Sequence, residues 1–158
     1  MINDLNQLNS GDRSKLKSAL SLIAVLIGKA DNNFDIKEVE AAKKIAHIRT
    51  YNSPDYLKEF YTEVESSFDQ DLISLNATLP SDAQERAAEI TSKLSELNSI
   101  LESLNPKLGA DLYKGFSRFA QEIAKSSGGF LGFMSINREE SKWVHLPMIT
   151  PIAVEEEE

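Results

Sequence analysis

The chain contains no cysteine. That excludes disulfide bonds, a thiolate nucleophile, zinc-thiolate sites and iron-sulfur clusters. There is no basic excess either: 17 lysines and arginines face 25 aspartates and glutamates. A phosphate-backbone partner needs clustered basic residues, so nucleic acid is not an expected partner. No stretch reaches the roughly 20 apolar residues that cross a bilayer, so no direct membrane span is expected. Lys15 and Lys17 ahead of an apolar run at 19–27, with Gly28, Lys29 and Ala30 behind it, loosely mimic a signal peptide. Asp4, Asp12 and a lysine beside the supposed cleavage point argue against that reading. The expectation is a cytoplasmic protein.

Glycine is scarce, and the only glycine-rich stretch is 126–134. It follows no strand and lacks the Gly-Lys-Ser/Thr ending of a phosphate cradle, while Phe130, Leu131 and Phe133 read as anchors onto the core. The two histidines, His47 and His145, are far apart on helical sequence and have no visible partner that would activate a nucleophile. His47 falls on the polar side of its helix with Glu40 and Lys43, and His145 reads as packed beside a helix stop. No catalytic site and no organic cofactor are expected.

What is present is helix periodicity nearly throughout. At 158 residues and 41% hydrophobic content the chain suits one domain with a sizeable core. Residues 1–12 read as a flexible N-terminal arm, 13–147 as the helical domain and 148–158 as an acidic C-terminal tail ending in four glutamates. The first helix, from about Arg13, is apolar almost all round through Leu16, Leu20, Ile23, Ala24 and Ile27 together with Leu22, Val25 and Leu26, which makes it the candidate central element. A second helix with Ile36, Val39, Ala42, Ile45 and Ala46 on its inner face runs to about Arg49. Ser53-Pro54 signals a new start, followed by a stripe of Leu57, Tyr61, Val64, Phe68, Leu72, Leu75 and Leu79 that Asp69-Gln70-Asp71 threatens to interrupt.

Pro80 stops that stripe, and Ser81 with Gln84 reads as a capping box. Ala87, Ile90, Leu94, Leu97, Leu101 and Leu104 then alternate spacings of four and three, so the two stripes predict a long antiparallel hairpin. The same stripe could instead be the seam of a homodimer. Asn105-Pro106 opens a helix that turns Leu108, Leu112, Phe116, Phe119, Ala120 and Ile123 inward, and a last helix is expected over 137–146. The predicted fold is all-α: a single-domain bundle of about six to seven helices.

The densest set of oxygen ligands lies between the first two helices. Asp35 is placed to cap the second helix with Glu38 at its third position, the two forming a capping box. Asp31, Asn33, Asp35 and Glu38 crowd hard donors into one loop and first turn, the chemistry that calcium or magnesium prefers. The spacing begins like an EF-hand but does not continue as one, because Ile36 stands at the turn glycine and Ala42 at the bidentate glutamate. Two readings of these four residues stand side by side: a divalent-cation site, or simply a helix stop and cap. A degenerate copy recurs later, with Ile136, Asn137 and Glu140 matching Phe34, Asp35 and Glu38, which suggests two related helix-knuckle-helix units.

Ala30-Asp31-Asn32-Asn33, together with Gly128-Gly129-Phe130-Leu131-Gly132-Phe133 followed by Asn137-Arg138-Glu139-Glu140, resembles the TerB-like tellurite-resistance family of all-helical bacterial domains. Asn32 stands where that family's turn has a glycine. The resemblance spans roughly 16–146. It implies a non-catalytic stress-response module, with acidic residues as a metal site and protein partners in a membrane-associated resistance complex. The alternatives are an adaptor that docks a partner protein's helix without metal and, more remotely, an enzyme of unknown class.

Overall fold

Each long segment of periodic sequence that the structure describes is helical. The computed structural model describes residues 2–28, 36–127 and 143–152, with backbone alone for 36–38, 126 and 127. The helices are α1 (Ser10–Lys17), α2 (Ala19–Gly28), α3 (Ile36–Asn52), α4 (Lys58–Thr78), α5 (Ala83–Ser95), α6 (Leu97–Ser103) and α7 (Pro106–Ser127), with short 3-10 turns at Leu5–Gln7 and Asp55–Leu57. Only Ser18 separates α1 from α2 and only Glu96 separates α5 from α6, and both keep right-handed helical dihedrals. The described residues therefore form five rods, not six to seven. One expected break is absent: α4 runs unbroken through Asp69, Gln70 and Asp71, because Asp69 and Gln70 sit on its exposed face and cost the core nothing. Of the expected last helix, Trp143, Val144 and His145 form a turn, and Leu146 adopts a left-handed φ of 49°. Leu146 is fully buried, and packing holds a conformation that a leucine otherwise avoids.

The organising element is α2. All ten of its residues are buried, and it packs against α1, α3, α4, α5 and α7. A helix apolar around its whole circumference can satisfy several amphipathic neighbours at once. The principal packing of α4 is on α2 and α3, and that of α5 is on α2, so the α4–α5 pairing expected from the two stripes is not among the main helix contacts of the described residues. Phe68 of α4 meets Phe119 of α7 edge to face, with ring centroids 6.1 Å apart. The stripes themselves are buried as expected, from Leu57, Tyr61, Val64 and Phe68 to Ile90, Leu94, Leu97 and Leu101.

Several boundaries shift because local hydrogen bonds compete with the signals in the sequence. Asn9 Oδ1 accepts from the Asp12 amide at 2.8 Å, so α1 starts at Ser10 rather than near Arg13. Asp82, not Ser81, caps α5, accepting from the Glu85 amide at 2.9 Å. Ser81 instead offers its carbonyl to the buried Arg86, whose Nη1 donates at 2.9 Å. The Ser53 hydroxyl donates to the Thr50 carbonyl at 2.8 Å and so closes α3 rather than opening the next helix. Asn105 behaves as predicted, its Oδ1 accepting from the Lys107 amide at 2.8 Å.

The described parts of both terminal segments, 2–12 and 148–152, are more engaged than the sequence suggests. Within 1–12, expected as an arm, Leu5 and Leu8 are buried, and Asp4 and Gln7 form a capping box. Ile2 bridges to Leu104, donating to the Ser103 carbonyl at 2.9 Å and accepting from the Asn105 amide at 2.6 Å. In the segment expected as a tail, Ile149 is buried and Asn98 pairs with the backbone on both sides of it. Its Nδ2 donates to the Met148 carbonyl at 3.0 Å, and its Oδ1 accepts from the Thr150 amide at 2.8 Å. The packed body therefore extends past 147 to at least Ile152, which lies against the core.

Candidate ligand-binding cleft

The acidic knuckle lies largely outside the described residues: Asp31, Asn33 and Asp35 are not placed, and Glu38 is placed only as backbone near the start of α3. The second knuckle, 136–140, lies outside them as well. Among the described residues no group of three or more His, Asp or Glu side chains converges as a metal site. No helix among them is long and apolar enough to cross a membrane. His47 is exposed as expected, its Nδ1 facing Glu65 Oε1. His145 is exposed too, where packing beside the helix stop was expected, because the chain turns there and buries Val144 and Leu146 instead.

What the fold does build is a cleft where the C-terminal half of α3 lies against α7. On α3, Ile45, Ile48, Arg49 and Asn52 share one face, and on α7 so do Lys114, Arg118 and Gln121. A cavity of about 250 Å³ lies between Arg49 and Asn52 on one side and Asp111, Lys114 and Arg118 on the other, with Tyr61 of α4 also lining it. It adjoins a groove of about 470 Å³ that shares Arg49, Asn52 and Arg118 and adds Ile45, Ile48 and Phe119.

The charges here run against those of the chain. Arg49, Lys114 and Arg118 form no ion pair with any described residue. The two carboxylates that line the cavity and the groove, Asp111 and Glu122, are already engaged. Asp111 Oδ2 accepts from Tyr56 Oη and pairs with Lys107 Nζ at 3.0 Å, and Glu122 pairs with Lys125 at 3.8 Å. Desolvation works to raise the Asp111 pKa, yet the Tyr56 hydroxyl, the Lys107 ammonium and the charge of nearby Lys114 outweigh it and hold the carboxyl below its ordinary value. The cleft is therefore a local excess of positive charge on an acidic protein, with the Asn52 amide beside it.

Tyr61 is 1% exposed, and its hydroxyl has no hydrogen-bond partner among the described residues. Burial pushes the phenol pKa well up, opposed by the nearby Arg49 guanidinium. A buried polar group left unpaired costs about 1–3 kcal/mol, so one at the wall of a cavity calls for a partner. The α7 residue facing it is Gly115, where an added β-carbon would collide with Tyr61 Oη. A glycine inside a helix costs about 1 kcal/mol relative to alanine, and here the space it leaves is taken by the hydroxyl.

Sequence reasoning did not find this cleft. It used Arg49 only to mark the end of the second helix and Tyr61 only as a core residue. One signal was available: Lys114 and Arg118 are like charges one turn apart, an arrangement unfavourable to an isolated helix. No protein-family model, curated protein or solved structure matches the chain.

Proposed function

We propose that this chain is a non-catalytic helical binding module whose working surface is the cleft between α3 and α7, and that the cleft holds an anionic ligand. The observation that carries the reading is the convergence of Arg49, Lys114 and Arg118, none in an ion pair with a described residue, on one cavity of an acidic chain. Fixed cations with an amide and a phenol are the chemistry of holding an anion rather than of transforming one. The test is a thermal-shift titration with small anions at constant ionic strength, using wild type and Arg118→Gln. The expected result is a rise in melting temperature that the variant loses, since a ligand stabilises the state it binds. Equal responses from the two proteins would assign the effect to general salt screening and remove the reading.

The resemblance of the two turn segments to TerB-like proteins supports the same class of function: a cytoplasmic stress-response module with protein partners in a membrane-associated assembly. It also supports a divalent cation, calcium or magnesium, at Asp31, Asn33, Asp35 and Glu38. The adaptor reading draws on a different observation. Ile48 and Tyr51, 47% and 77% exposed, lie one turn apart on α3 and offer apolar surface to a partner helix.

A further inference from the structure

We infer that the cavity at the α3–α7 junction is a phosphate-monoester site in which the Tyr61 hydroxyl is the buried donor and Arg49, Lys114 and Arg118 supply the charge. The inference rests on the binding-module reading above and adds the class of ligand. A carboxylate offers one charge and two oxygens in a plane. The cavity offers three cations reaching from two helices, a phenolic donor from a third and an amide at Asn52, which is more than a carboxylate uses. A phosphate dianion presents three terminal oxygens in a tetrahedral arrangement, and arginine forks suit them. Its fourth oxygen carries the organic group. The adjoining groove, lined by Ile45, Ile48 and Phe119 and sharing Arg49 and Arg118 with the cavity, gives an apolar group of that kind a place to lie.

The second, independent sign is the Tyr61–Gly115 pair. The Tyr61 side chain lines the cavity, and its hydroxyl is buried, has no hydrogen-bond partner among the described residues, and occupies space that only a glycine at 115 leaves open. A phosphate oxygen at the cavity wall is the acceptor it lacks. Tyr56, by contrast, carries its own acceptor in Asp111, so the two neighbouring phenols differ in the one respect that a ligand would require.

The test is isothermal titration of the full chain with phenyl phosphate, inorganic phosphate and benzoate at fixed ionic strength. Wild type, Tyr61→Phe and Arg118→Gln are compared, each first shown to melt cooperatively. The expected order is phenyl phosphate tighter than inorganic phosphate, and both at least about tenfold tighter than benzoate, with Arg118→Gln weakening phenyl phosphate by about tenfold or more. Tyr61→Phe is expected to weaken it by about tenfold while leaving the melting temperature level or higher, because its hydroxyl satisfies no group among the described residues. Benzoate binding as tightly as phenyl phosphate would overturn the phosphate assignment. Loss in Arg118→Gln with none in Tyr61→Phe would overturn the role of Tyr61 and leave the basic cleft standing. No binding of any anion by wild type would remove the inference and the binding-module reading together.

Discussion

The Tyr61 hydroxyl lies in the space that a side chain at residue 115 would fill. One helix thus carries a glycine in its interior where the other brings a polar atom into the core, and neither residue is suited to its position without the other.

The pair can be tested by a double-mutant cycle. Gly115→Ala improves the helix by about 1 kcal/mol but forces the new methyl onto the hydroxyl, and overpacking of that kind costs about 1–3 kcal/mol. The single variant is expected to lose about 1 kcal/mol. In a Tyr61→Phe background the nearest remaining ring atom would be 3.5 Å away, an ordinary contact, so the same change is expected to stabilise by about 1 kcal/mol. Urea denaturation of the four proteins measures both values, and additive effects would show that the two residues do not interact.

Asn98 ties the segment around Ile149 to α6 by pairing with the backbone of both Met148 and Thr150. Asn98→Ala removes both bonds and leaves an amide and a carbonyl to find other partners, at a cost of about 2 kcal/mol. The expected readouts are a lower urea midpoint and faster proteolysis near residue 148. A variant as stable and as protease-resistant as wild type would show that Ile149 and Leu146 hold the segment unaided.

Asp111 gives the fold an acid-sensitive contact. Its folded pKa lies below the ordinary value, so its contribution is present above the unfolded carboxyl's pKa of about 4 and is lost as pH falls through the lower, folded value. Asp111→Asn is expected to be less stable than wild type at pH 7, with the gap closing as the pH drops below about 4. Thermal melts across that range provide the check. A gap that does not vary with pH would assign the difference to packing and not to the charge held by Tyr56 and Lys107.

Calcium addresses the knuckle proposed from the sequence. If Asp31, Asn33, Asp35 and Glu38 hold a cation, millimolar calcium is expected to raise the melting temperature of wild type, chelator to reverse it, and Asp31→Asn to lose the response while keeping its stability without calcium. A wild type that calcium leaves unmoved would return these residues to the roles of turn and cap.

Sequence reasoning reached the elements and their buried faces. The all-round apolar character of 19–27 marked α2 as the centre, and the stripes through Phe68, Ile90 and Phe116 identified which faces turn inward. Those features follow from local periodicity, which a linear chain displays. Helix caps were less legible, because Asn9 and Asp82 compete with equally suitable neighbours for the same amides, and geometry selects between them. The pairing of α4 with α2 and α3 could not be read, since the stripes that predicted a hairpin fit any apolar face of similar length. The cleft was out of reach for the same reason: Arg49 and Arg118 lie far apart in the chain and mean little alone. Only packing α3 against α7, with Tyr61 entering from α4, sets them around one cavity, because charges become a site when the fold fixes the distance between them.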